Sequence, residues 1–85
     1  MKFSLLTYNI HKGIGNDGLY KLDRTIEIIK STNADFILLQ EVDRYAPRSK
    51  KEDTPQIIAN ELGMYYSVGM NVKLKKGEYG NATLS

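Results

Sequence analysis

Two apolar segments on either side of a helical pattern constrain the fold more than any other feature of this chain. Residues 2–10, KFSLLTYNI, are rich in aromatic, aliphatic and β-branched residues, and the stretch is too short for a comfortable helix. It reads as a strand. Residues 36–42, FILLQEV, read as a second strand, apolar on both faces as parallel strands tend to be. Between them the period changes. Leu19, Leu22, Ile26 and Ile29 share one helical face, Lys21, Arg24 and Lys30 point away from it, and STNAD (31–35) ends the helix. A strand, a helix and a strand in this order call for a right-handed crossover that lays the two strands side by side and parallel. Their carboxyl ends then share the edge at which open α/β sheets keep their ligands. That crossover brings Asn9 and Glu41 together.

The remainder extends the α/β pattern. Residues 43–53, DRYAPRSKKED, form a polar loop. Thr54 suits a helix N-cap, Pro55 the first helical position and Gly63 a C-cap, which predicts a short helix over 56–62. MYYSVG (64–69) reads as a strand, NVKLKKGE (71–78) as a hairpin or loop, and YGNATLS (79–85) as a last strand. That last run stops at Ser85 with no turn, cap or polar tail, and a strand of that kind normally pairs with something later. The expectation is the N-terminal part of a longer domain, with an unpaired edge at 79–85 that invites self-association. With 85 residues and no cysteine, the chain has neither the core of an ordinary domain nor disulfides to replace one. Its 41 % hydrophobic content is globular, and a net charge of +2 is too small to mark a nucleic-acid binder by itself. Charged residues interrupt every apolar run, so no membrane span is expected, and Met1-Lys2 leads straight into a strand with no signal peptide. The default expectation from these features is a cytoplasmic protein.

GIGNDG (13–18) matches the G-x-G-x-x-G dinucleotide fingerprint letter for letter. A carboxylate, Glu41, follows at roughly the spacing of a ribose-binding acid. The physical requirements are nevertheless poorly met. NIHK separates the strand from the glycines, Asn16-Asp17-Gly18 is a turn signal, and Asp17 sets a negative charge where phosphates would lie. A structural glycine turn is the better reading, and a non-catalytic nucleotide- or nucleic-acid-binding module built on 13–18 is the alternative.

Glu41 is more informative. A carboxylate ending an apolar strand is costly unless it is paired or bound to a metal. Beside an Asn9 amide oxygen it forms a hard-oxygen set suited to Mg²⁺ or Mn²⁺. The plainer alternative is an ion pair with Arg44 or Lys12. His11, the single histidine, is by itself more often structural than a ligand. Two basic clusters, Arg48 with Lys50 and Lys51, and Lys73 with Lys75 and Lys76, are either solvated loops or a phosphate-attracting rim.

TYNIHKG, LLQEVDR and YGNATLS, in this order on this scaffold, resemble the N-terminal motifs of the endonuclease/exonuclease/phosphatase superfamily of metal-dependent phosphoesterases. The likeness covers nearly the whole chain, and QEVD after an apolar strand is its most specific part. It implies the N-terminal part of a four-layer α/β/β/α sandwich, residues 1–85 being one portion of a single domain. It further implies that Asn9 and Glu41 serve the catalytic metal region, with Glu41 the Mg²⁺ or Mn²⁺ ligand. His11 and Lys12 then sit at the cleft mouth, and Arg44, Arg48 and Asn81 lie where they meet phosphate. The substrate is a phosphoester, with nucleic acid, phospholipid head group and inositol phosphate all compatible. The family's Asp-x-Asn motif, its later Asn and its Ser-Asp-His motif are not among these 85 residues, so the resemblance implies that the chain alone is inactive.

Overall fold

The computed structural model describes residues 3–85, apart from the side chain of Asn71. Four strands and two helices follow one another as β1 (Leu5–Asn9), α1 (Leu22–Thr32), β2 (Phe36–Arg44), α2 (Thr54–Leu62), β3 (Tyr66–Lys73) and β4 (Glu78–Leu84), with single 3₁₀ turns at His11–Gly13 and Pro47–Ser49. Of the first expected strand, Lys2 lies outside the described residues. The strands form one mixed sheet in the order β1-β2-β4-β3. β1 and β2 are parallel, with Asn9 opposite Gln40, as the crossover requires. β4 runs antiparallel to both β2 and β3.

This order corrects the expectation of a free edge at 79–85. β4 is interior, because the β3–β4 hairpin folds back so that its second strand enters beside β2. The edges are β1 and β3. Gly77 makes the hairpin turn at φ +93, and a Cβ there would lie 2.7 Å from the backbone nitrogen of Ala46. The turn is thereby pressed against the loop that follows β2.

Both helices cover one face of the sheet. Leu22, Ile26 and Ile29 of α1 join Ile58 and Ala59 of α2 over Ile37, Leu39, Val42, Ala82 and Leu84 in a single core. α1 starts at Leu22, later than its apolar period predicts, and Leu19 is half exposed in the preceding loop. Asp17 captures the Leu19 amide and Arg24 the Leu19 carbonyl, which keeps this stretch a loop. Asn33, left-handed at φ 50, ends the helix inside the predicted STNAD. α2 is capped one residue earlier than expected: Asp53 accepts from the Gln56 amide, and Thr54 is buried, with its hydroxyl 3.4 Å from the Tyr20 hydroxyl. Gly63 provides the left-handed C-cap.

The first half of β2 is buried on one face. Ile37 and Leu39 are inaccessible, whereas Phe36 is 39 % exposed, because the helices share one side. Among the described residues no helix is long and apolar enough to cross a membrane.

Candidate functional site

A bulge in β2 aims Glu41. Leu39 pairs with Ala82 and Val42 with Gly80, so Gln40 and Glu41 together face the single residue Asn81. Glu41 takes left-handed backbone, φ 55, to make this fit. The extra residue lets Leu39 and Val42 both enter the core while the carboxylate between them stays out of it. Across the parallel pair, β1 ends at Asn9, and the 3₁₀ turn folds His11 (φ 50) and Lys12 (φ 61) back over the strand end. Left-handed backbone at ordinary residues is costly, and the site gathers three instances of it.

The side chains converge on the carboxylate. The Asn9 amide nitrogen donates to Glu41 Oε2, and the Asn9 Oδ1 accepts from the His11 amide at 3.0 Å. Lys12 Nζ lies 3.2 Å from Glu41 Oε1 and His11 Nδ1 3.6 Å from Oε2. Asn9's hydrogen bond first, then Lys12, holds the Glu41 carboxyl below the ordinary carboxylate range. Glu41 is therefore ionised at neutral pH, and its side chain remains 26 % exposed. The expected juxtaposition of Asn9 and Glu41 is found, with the Asn9 nitrogen, not its oxygen, toward the carboxylate.

Arg48 and Arg44 part company. Arg48 forms a two-pronged pair with Asp43, at 2.8 and 2.7 Å, and Asp43 is fully buried beneath it. Its guanidinium lies 5.3 Å from the centre of the Tyr79 ring, and Lys12 Nζ lies 6.0 Å from the same ring. Carboxylate, ammonium, ring, guanidinium and carboxylate thus follow in one chain from Glu41 to Asp43. Arg44 ends β2, where its Nε lies 3.4 Å from Asp53 and its guanidinium 5.3 Å from the Tyr45 ring. Of the two ion-pair partners that the sequence offers Glu41, the structure uses Lys12, and Arg44 goes to Asp53. Asn81 is exposed on β4 directly across from the bulge. Tyr79 and Asp43 were not singled out from sequence. Asp43, a carboxylate two residues past Glu41 with an arginine five residues on, carried a readable signal, and Tyr79 carried none.

The glycine loop is closed on itself. The Gly15 amide donates to the Leu19 carbonyl and the Gly18 amide to the Gly15 carbonyl, while Arg24 clamps Asp17 at 2.9 and 3.2 Å. Helix α1 begins only after this loop, so its N-terminus is not presented by the glycines. A cavity of about 470 Å³ on this flank is bounded by Tyr8, Ile10, His11, Arg24 and Ile28 and does not include Glu41.

A donor set for a hard cation is present only in part. Glu41 supplies ionised, accessible oxygen, which fits Mg²⁺, an ion that needs one or two carboxylates and keeps several waters. Among the described residues no group of three or more His, Cys, Asp or Glu side chains is placed to hold a metal.

A solved structure of an endonuclease/exonuclease/phosphatase from Beutenbergia cavernae DSM 12333 matches 98 % of the chain with a TM-score of 0.74 and 22 % identity. The chain has the α/β fold of the endonuclease/exonuclease/phosphatase superfamily and spans 25 % of that structure's length. A family model described as the PGAP2IP C-terminal nuclease-like domain matches residues 2–85, and the chain belongs to that family. No curated protein matches it.

Proposed function

We propose that this chain supplies the metal-holding and phosphate-facing edge of a phosphoesterase, one that hydrolyses phosphodiester or phosphomonoester bonds with Mg²⁺ or Mn²⁺. The observation that carries this reading is Glu41, an ionised carboxylate aimed by a strained bulge at the shared carboxyl end of two parallel strands. Glu41 holds the ion and Asn9 orients Glu41. A divalent ion held there would supply charge stabilisation to the phosphoryl group and the leaving oxygen of a phosphoester attacked by water. In this reading His11, at the mouth, and Asn81, across the bulge, meet phosphoryl oxygens. Arg48 and Arg44 are both assigned the rim, because Asp43 and Asp53 already engage their guanidinium groups. The base and the phosphate-binding histidine of the resembling family have no counterpart here, so these residues bind and orient without completing the reaction alone. The domain that completes the site is the remainder of a four-layer sandwich.

The test is Glu41→Gln in the complete protein, assayed on bis(p-nitrophenyl) phosphate. Loss of the charge removes transition-state stabilisation, so kcat should fall by about 10²–10³-fold while the melting temperature holds. A purely structural Glu41 gives the opposite pattern, with a lower melting temperature and normal turnover per folded molecule.

A further inference from the structure

Lys12 occupies a position that a metal ion at Glu41 would contest. Its ammonium lies 3.2 Å from Oε1, while Oε2 is taken by the Asn9 amide, so the coordinating oxygen most open to an incoming ion is the one Lys12 holds. Magnesium binds carboxylate oxygen at about 2.0–2.1 Å and brings its own waters. Two cations cannot share that oxygen without strong repulsion. The lysine is also positioned with care. Its backbone sits at φ 61 in a turn closed by the Gly13 amide on the Ile10 carbonyl and the Ile14 amide on the His11 carbonyl. A second resting place is near, since the Tyr79 ring lies 6.0 Å from Nζ.

We propose that Lys12 is a tethered cation that neutralises Glu41 in the metal-free protein and is displaced by the divalent ion. This inference rests on Glu41 being the metal-holding carboxylate. Lys12 therefore sets the metal affinity of the site: it prevents an uncompensated carboxylate at the strand ends and lowers the affinity for the ion that replaces it. No bond is made or broken, and the exchange is one cation for another.

Titration calorimetry with Mn²⁺ at low ionic strength tests this on the complete protein and three variants. Lys12→Met removes the competitor and should bind Mn²⁺ roughly twofold to fivefold more tightly, the upper part of the range expected for a partly exposed pair. Lys12→Arg keeps the charge and should stay within about twofold of the unmodified protein. Glu41→Gln should lose binding. Equal or weaker binding by Lys12→Met, with Glu41→Gln still silent, overturns the displacement and leaves the metal assignment standing. Full binding by Glu41→Gln overturns the metal assignment itself. Should Lys12→Met fail to fold, the unmodified protein decides the matter. Saturating Mg²⁺ should shift and broaden the Lys12 ammonium resonance as the pair opens, and an unmoved resonance overturns the proposal.

Discussion

Backbone strain at single residues separates positions that serve a turn from positions that aim a side chain. Lys50 and Lys51 are both left-handed, at φ 58 and 59, in the loop after the Pro47–Ser49 turn. The Lys51 amide is used, donating to Ala46 at 2.8 Å, and its side chain is exposed. Glycine tolerates this conformation without a Cβ penalty, although it gives up more chain entropy on folding. Lys51→Gly should therefore stabilise the protein by about 0.5 kcal/mol, or roughly 2–4 °C in a chain of this size, by thermal melting. A fall in melting temperature would mean that the lysine side chain matters more than its backbone. Glu41 carries equal strain at φ 55, but there the twist turns a carboxylate out from between two core residues. Sequence reading brought Asn9 and Glu41 together because the crossover sets the carboxyl ends of β1 and β2 side by side. It did not find the bulge, since the extra residue is defined only by the pairing of β2 with β4, two strands far apart in the chain.

The loop before α1 shows a local ion pair overriding helical periodicity. The spacing from Leu19 onward is helical, yet Asp17 and Arg24 tie residues 17–24 into a closed turn and the helix waits until Leu22. Arg24 above all, with the Leu19 amide, pulls the Asp17 carboxyl down to about 2. A carboxyl whose folded value is depressed contributes stability above its unfolded value, near 3.8, and loses that contribution as pH falls toward about 2. Asp17→Asn should therefore melt below the unmodified protein at pH 7, with the gap closing between about pH 4 and pH 2. A gap that stays constant over that window would mean that the charge of Asp17 adds nothing to folding. The other elements were legible to different degrees. Gly63 and Asn33 end their helices as glycine and asparagine can, in left-handed backbone. Thr54 was misassigned as a cap because Asp53 and Thr54 are both good capping residues, and burial against Tyr20 decided between them.

At the scale of the whole molecule, helices on one side of the sheet leave the other side uncovered around Phe3, Leu5 and Phe36. Strand alternation puts Leu5 in register with Phe36, on the face opposite Ile37 and Leu39. Leu5 is 62 % exposed and Phe3 66 %, and the Phe3 and Phe36 rings meet edge to face at 5.6 Å. FILLQEV, apolar on both faces, foretold that both sides of β2 seek cover, but a sequence does not say which side the helices take. The self-association expected from sequence thus has a different physical basis from the one first inferred, since β4 is paired on both edges and the outer face is the apolar surface. Partial burial of Phe3, Leu5 and Phe36 across two copies gains about 1 kcal/mol or more per side chain, set against the entropy of association. For the 85-residue chain that predicts weak dimerisation, with a Kd of about 0.1–1 mM, read by sedimentation equilibrium. Phe36→Lys places a charge in the apolar patch with Phe3 and Leu5 and should return the chain to a monomer at these concentrations. Val72→Lys, on the edge strand β3, should leave association unchanged. The reverse outcome, with Val72→Lys dissociating the dimer and Phe36→Lys sparing it, would move the contact from the open face to the β3 edge, where backbone pairing would drive it.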